Sequence, residues 1–229
     1  MDNVVVLSLG GSIVAPGDID VEFIRSFKDA VTAYLEEDGR RKLIIVTGGG
    51  APARVYQNAY KGICEGADNY LLDEIGIAAT RLNAALIRSV FSNYCDDPVV
   101  TNPTADITFT NRVLVAAGWK PGFSSDTDAV YLAEKFGARK VVNLSNIAKV
   151  YTADPKLDPS ATEIDHISWE DFRLMVGDTW TPGKNLPFDP IASKEAQRLA
   201  LKVICADGRN IANTMMILKD EPFYGTTIG

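Results

Sequence analysis

Three times in its first 136 residues the chain runs from an apolar, β-branched stretch into a glycine-containing loop and on into residues with helical spacing. Residues 4–9 lead into Gly10-Gly11-Ser12, residues 43–46 into Gly48-Gly49-Gly50, and residues 112–117 into the loop 118–125. A short apolar run bounded by glycine is the pattern of a strand buried on both faces. Strands that alternate with amphipathic helices build βαβ units and a parallel sheet. The expected fold is therefore α/β, a three-layer αβα sandwich with a largely parallel central sheet.

The rest of the chain continues the alternation. Apolar residues at helical spacing cover 21–35, with Gly39 closing that helix, then a helix carrying Arg54, then the pattern from Leu71 to Val90. Strands are expected at 98–101, 112–117, 140–144 and 202–206, with a tail strand at 226–228. Ser124-Ser125-Asp126 reads as a helix N-cap before the helical stretch 129–136. Further helices are expected from Ser168, over 191–200 and over 211–218. Between them lie a long exposed turn or hairpin at 151–159 and a Pro- and Gly-rich loop at 181–190. The 229 residues form one domain, with a weak seam near Gly137-Ala138 dividing approximate lobes 1–137 and 138–229.

Composition narrows the function. Apolar residues make up 46% and charged residues 23%, which excludes a disordered, collagen-like or coiled-coil chain. A net charge of −7 argues against a broad face for nucleic acid, while leaving room for a local anion pocket. Cys64, Cys95 and Cys205 are far apart, and the one histidine, His166, is read as a surface residue before a helix, so a Cys/His metal site is not expected. No apolar run reaches the ~18 residues that span a bilayer, and Met1-Asp2-Asn3 supplies no basic start for a signal sequence. The expected setting is the cytoplasm, with no membrane partner.

Each glycine loop has two readings: a tight strand-to-helix turn, or backbone N–H groups bared for an anion. Three such loops opening at one sheet edge favour nucleotide chemistry. No G-x-x-x-x-G-K-[ST] is present, which excludes a P-loop, and no G-x-S-x-G, which argues against a hydrolase triad. Gly48-x-Gly50-x-x-Ala53 fits the loose dinucleotide fingerprint, with Asp68 or Asp73 about 20 residues on. That reading needs the acid at a strand end, whereas Asp73 opens a helical segment.

The ordered set of motifs resembles the amino-acid kinase family, and within it the archaeal-type uridylate kinases. It comprises Leu9-Gly10-Gly11-Ser12, Gly48-Gly49-Gly50 with Arg54, Asp73-x-Ile75-Gly76 with Thr80-Arg81-x-Asn83-Ala84, and Pro121-Gly122 with Ser124-Ser125-Asp126. It continues through Asn146-x-x-x-Val150-Tyr151-Thr152-Ala153-Asp154-Pro155, Asp189-Pro190-x-Ala192-x-Lys194 and Gly225-Thr226-Thr227-Ile228. The resemblance implies phosphoryl transfer from ATP, carrying Mg2+ on its phosphates rather than on protein ligands, to UMP. Its ATP site would comprise Gly11, Ser12, Gly50, Arg54, Ser145, Asn146, Tyr151 and Asp154, with Tyr151 as the adenine shelf. Its UMP side would comprise Gly49, Asp73, Trp119, Lys120, Pro121, Gly122, Phe123, Ser124 and Ser125, with Asp73 on the ribose and the serines on the phosphate. Lys194, oriented by Asp126, and Arg54 would be catalytic. A homohexamer is implied as the assembly. The alternatives are a relative phosphorylating a carboxylate or another phosphate, and a nucleotide-binding relative of low turnover.

The chain departs from the family pattern at three places. Ser8 stands where many members have lysine, Trp119-Lys120 opens the acceptor loop, and Ala148-Lys149 replaces an Asp-Gly pair. Lys149 or Lys120 is thus expected to supply the phosphate-directed charge that Ser8 cannot. Without the resemblance, Lys194 would read as an exposed helix lysine and Asp126 as an N-cap.

Overall fold

The structure, a computed structural model, describes residues 3–155, 157–177 and 186–229. Of the expected loop 181–190, residues 181–185 lie outside them. In chain order the elements are β1 (Asn3–Leu9), α1 (Gly11–Val14), α2 (Val21–Glu37), β2 (Arg41–Thr47), α3 (Gly50–Ile63) and α4 (Asn69–Val90). Next come β3 (Val113–Ala116), α5 (Ser125–Phe136), β4 (Lys140–Ser145) and the short β5 (Val150–Tyr151), β6 (Glu163–Ile164) and β7 (His166–Ile167). The chain ends with α6 (Trp169–Val176), α7 (Pro190–Arg198), β8 (Lys202–Asp207), α8 (Ile211–Leu218) and β9 (Thr226–Ile228).

Seven strands form one sheet in the order β3-β2-β1-β4-β8-β9-β7, and β5 pairs with β6 as a separate hairpin. The pairs β3–β2, β2–β1, β1–β4 and β4–β8 are all parallel, and β9 runs antiparallel to β8. Strand side chains alternate between two cores. Val5, Leu7, Leu9, Leu43 and Ile45 pack with α2, α4 and α8 on one face. Val6, Ile44 and Val46 pack with α5, α6 and α7 on the other. Burial on both faces is why these strands read as unbroken apolar runs, and the three layers follow directly.

The glycines of the first two loops interlock. A Cβ on Gly11 would lie 2.0 Å from the Gly50 nitrogen, and one on Gly50 (φ 66°) would lie 2.4 Å from the Gly11 carbonyl oxygen. Only bare backbone lets the ends of β1 and β2 approach so closely.

One expectation needs correction. Residues 98–101 form no strand; Val100 makes a single bridge to Ala116, and the flanking residues turn away, with Asn102 Oδ1 accepting from the backbone N–H of Thr104. His166 is exposed and precedes α6, as expected; it opens β7, which pairs with β9 through the backbone. No helix among the described residues is long and apolar enough to cross a membrane.

Candidate active site at the carboxyl edge of the sheet

Because β3, β2, β1, β4 and β8 run parallel, the loops that follow them open at one edge. From β1 the chain order extends through β2 and β3 on one side and through β4 and β8 on the other. Such a reversal leaves a crevice at the carboxyl ends, where ligands of open α/β sheets bind. Gly10-Gly11-Ser12 lies at this point, its Gly10 N–H donating to the Leu144 carbonyl of β4 at 2.8 Å.

On the β4–β8 side lie Ser145 at the end of β4, the exposed Asn146, and the hairpin bearing Tyr151 and Asp154. Gly208, after β8, donates to the Ser145 carbonyl at 2.8 Å. Arg54, exposed on α3, donates to the Pro16 carbonyl at 3.5 Å, beside the interlocked glycines. Arg209, which sequence reading passed over, donates to the Ser12 carbonyl at 3.4 Å and pairs with Asp20 at 3.1 Å. It was not visible because the β8–α8 turn carries no glycine-rich signature beyond Gly208.

On the other side, α4 builds the acceptor loop. Asp73, Gly76, Thr80 and Asn83 recur at three- and four-residue spacing, which places them on one helical face. Asp73 Oδ2 accepts from the Gly122 N–H at 2.9 Å, and Thr80 Oγ1 from the Gly118 N–H at 2.8 Å. Asn83, 1% exposed, donates to the Gly48 carbonyl at 2.7 Å and to that of Gly49 at 3.2 Å. The spacing was in the sequence; the supporting roles of Thr80 and Asn83 were not drawn from it. Within the loop, Trp119, Phe123 and Tyr131 form an aromatic cluster, and the Lys120 ammonium lies 3.9 Å from the Trp119 ring centroid. Pro121 and Gly122 form the turn between those rings.

Ser124 caps α5, its Oγ accepting from the Thr127 N–H at 3.3 Å, and Ser125 opens the helix. Asp126 is not the cap. Ser8 Oγ donates to its Oδ1 at 3.0 Å and the Asp189 N–H to its Oδ2 at 3.2 Å. Burial, helped by the neighbouring Asp189 charge, pushes the Asp126 carboxyl up to about 7. Asp189 in turn caps α7, accepting from the Ala192 N–H at 2.8 Å, and burial raises its carboxyl as well. The Asp126 carboxyl, with that of Asp189 near it, thus lies against the Ser8 hydroxyl of β1, and among the described residues no lysine pairs with either. Lys194 lies one turn further into α7 and is exposed, whereas Asp126 is turned inward onto Ser8 and the Asp189 N–H; the expected Asp126–Lys194 ion pair is not formed.

Asp128 lies below the same loop, 1% exposed, with Oδ2 accepting from the Trp119 N–H at 3.2 Å and Oδ1 buried without a partner among the described residues. Burial pushes this carboxyl to about 7 too. Lys149 corrects a second expectation. Its ammonium is buried against Asp165 and Glu163, so it is not directed at a phosphate. Among the described residues no cluster of three or more His, Cys, Asp or Glu side chains is placed to hold a metal ion.

Comparison with known proteins places the fold in a family. The model of the amino acid kinase family matches residues 3–207. The uridylate kinase of Methanospirillum hungatei is 33% identical over 227 residues, covering 98% of this chain and 94% of that protein. That of Thermoplasma volcanium is 31% identical over 232 residues, covering 100% and 98%. The crystal structure of uridylate kinase from Archaeoglobus fulgidus superposes with a TM-score of 0.82 at 33% identity, covering 98% of this chain and 99% of that one. UMP kinase from Bacillus anthracis, at 18% identity and TM-score 0.78, shares the fold.

Proposed function

The chain belongs to the amino acid kinase family, and we propose that it transfers the γ-phosphoryl group of Mg-ATP to UMP, giving UDP for pyrimidine nucleotide supply in the cytoplasm. The observation that carries this reading is the end-to-end relation to uridylate kinases combined with a crevice at β1 that has a glycine edge on one side and an α4-anchored loop on the other. In this reading ATP lies over Gly11, Ser12, Gly50 and Ser145, with Asn146, Tyr151 and Asp154 at its nucleoside end and Arg54 at its phosphates. UMP lies against the loop from Trp119 to Ser125, with Gly49 beneath it. Asp73 uses the oxygen not committed to Gly122 for a ribose hydroxyl, since a carboxylate oxygen pair accepts several bonds. In this reading residues 1–137 form the acceptor lobe, with β1 to β3, and residues 138–229 the ATP lobe, with β4 and β7 to β9.

The attacking group is a phosphate that is already ionised, so the site needs position and positive charge rather than a strong base. Mg2+ arrives on the ATP phosphates and neutralises part of their charge. Lys194 reaches the transferring group from the exposed side of α7, whose start is fixed to Asp126 through the Asp189 N–H. Lys120 has its stem on the acceptor loop and is the lysine left to stand in for the charge absent at Ser8. The protein self-associates, as a hexamer, through faces considered below.

A coupled assay with UMP, CMP, acetylglutamate and isopentenyl phosphate tests the reading. Turnover is expected to be greatest with UMP. Preference for the carboxylate or for isopentenyl phosphate would replace the acceptor, and ATP binding with turnover on none would replace the kinase by a binding protein.

A further inference from the structure

Around Lys149 three separated segments converge on one buried ammonium. Lys149 is 8% exposed, pairs with Asp165 Oδ1 and with Glu163 Oε2 (3.3 Å), and lies 4.4 Å from the Tyr224 ring centroid. Glu163 Oε1 accepts from the hydroxyls of both Tyr151, at 3.1 Å, and Tyr224. Tyr224 is itself fixed: the Asn213 side chain donates to its carbonyl at 2.7 Å and accepts from its N–H at 2.8 Å. Val150 N–H donates to Thr226 Oγ1 at 2.8 Å, so the C-terminal segment also holds the strand that carries Tyr151.

A hairpin of two residues per strand has too few ladder bonds and too little buried area to hold its own shape. The direction of the Tyr151 ring is therefore set by what grips its hydroxyl. Glu163 alone would be a mobile carboxylate on an exposed strand. Between an ammonium and two phenols it has one position, and charge-assisted bonds of this kind are the stronger ones. We propose that Lys149 is a positioning residue for ATP: acting through Glu163, with Tyr224 as the second phenol, it fixes Tyr151 in the orientation that receives the adenine base. This rests on the reading of Tyr151 as the adenine shelf. The Asp165 carboxylate, ahead of Glu163, holds the ammonium above its ordinary pKa, and both carboxylates are held below theirs. The latch is thus charged throughout the neutral range. It also accounts for a lysine beside the site that makes no contact with the glycine edge.

The test compares calorimetric binding of ADP, inhibition by inorganic tripolyphosphate, which has no base, and steady-state kinetics. Lys149→Met is expected to weaken ADP about fivefold to thirtyfold, the size of coupling seen between contacting residues in one network. Tripolyphosphate inhibition, KM for UMP and kcat at saturating ATP should each stay within about twofold, because only the base contact is loosened. Lys149→Arg should restore ADP binding, and Glu163→Gln, which keeps the acceptor oxygen and shape, should weaken ADP less than Lys149→Met does. Tyr151→Ala should weaken ADP as strongly, and adding Lys149→Met to it should cost nothing more. Equal losses for ADP, tripolyphosphate and UMP would overturn the positioning role in favour of a general effect on the fold. Loss on Tyr151→Ala with none on Lys149→Met would overturn the latch alone. An intact ADP affinity in Tyr151→Ala would instead remove the adenine reading on which the latch depends.

Discussion

Asp126 and Asp128 share the first turn of α5 and share a raised carboxyl, both near 7, from loss of hydration. Their folded values lie above the ordinary 3.8, so the folded chain keeps protons that the unfolded chain has released. The stability that comes from this difference is complete below the unfolded value and is lost as pH rises towards the folded one. Between pH 5 and 7 these two groups should therefore lower stability with rising pH, each by at most about 1.4 kcal/mol per pH unit. Asp128→Asn isolates one share, because an amide oxygen can still accept from the Trp119 N–H. Denaturant titrations at pH 5, 6 and 7 should show a shallower pH dependence in the variant; parallel dependences would place the titration elsewhere. At this scale the sequence was only partly legible. Ser124-Ser125-Asp126 announced a helix start, but capping is decided by one torsion, and Ser124 took it while Asp126 turned inward. Asp128 gave no sign at all, since burial of a single acid depends on what the loop 118–124 lays over it. Lys149 was visible as a departure, and its role was misread because Glu163, Asp165 and Tyr224 come from segments that only the fold assembles.

The elements themselves were more legible than the contacts between them. Buried strands announce themselves as apolar runs and helices by apolar residues at helical spacing; the caps Asp20 of α2, Asp68 of α4 and Asp189 of α7 are seen only in the structure. Gly137 ends α5 in the left-handed region at φ 65°. Two-residue strands such as β7 leave no such trace, because their pairing uses backbone alone. The first two glycine loops show where element and contact merge. The sequence pattern brings the loops to one sheet edge, but not against one another as the structure does. Gly50→Ala meets both a positive φ and a Cβ position 2.4 Å from the Gly11 oxygen. Left-handed strain of roughly 1–2 kcal/mol adds to overpacking of roughly 1–3 kcal/mol, so a loss of roughly 2–5 kcal/mol is expected. Gly17→Ala, with open space around the added carbon, is the matched control. If the two variants unfold at the same denaturant concentration, the interlock does not govern the stability of this edge.

On the scale of the whole molecule, the apolar surface is unevenly spread. Val55, Tyr56 and Ile63 on α3, and Tyr70, Leu71 and Leu82 on α4, are all exposed, Ile63 at 81% and Leu82 at 68%. Isolated exposed apolar residues need no explanation, but a group on two adjoining helices is the mark of an interaction face. A second copy of the chain is the occupant under the proposed self-association, with exposed charges of both signs, Arg54 and Lys61 on α3 and Glu74 and Arg81 on α4, beside the apolar residues. The same helices carry the site: α3 begins at Gly50 and bears Arg54, while α4 bears Asp73, Thr80 and Asn83. Association through this face would stiffen the helices that hold the glycine edge and the acceptor loop. Sedimentation at micromolar concentration is therefore expected to show an assembly, six chains of 24.8 kDa in the proposed form. Tyr56→Glu and Leu82→Glu should shift it to smaller species and raise KM for UMP more than KM for ATP, since charge placed in an apolar contact is costly. Leu174→Glu, at a still more exposed leucine on α6 across the sheet, should change neither. A monomeric wild type, or dissociation by Leu174→Glu and not by Leu82→Glu, would show that α3 and α4 are not the faces that join.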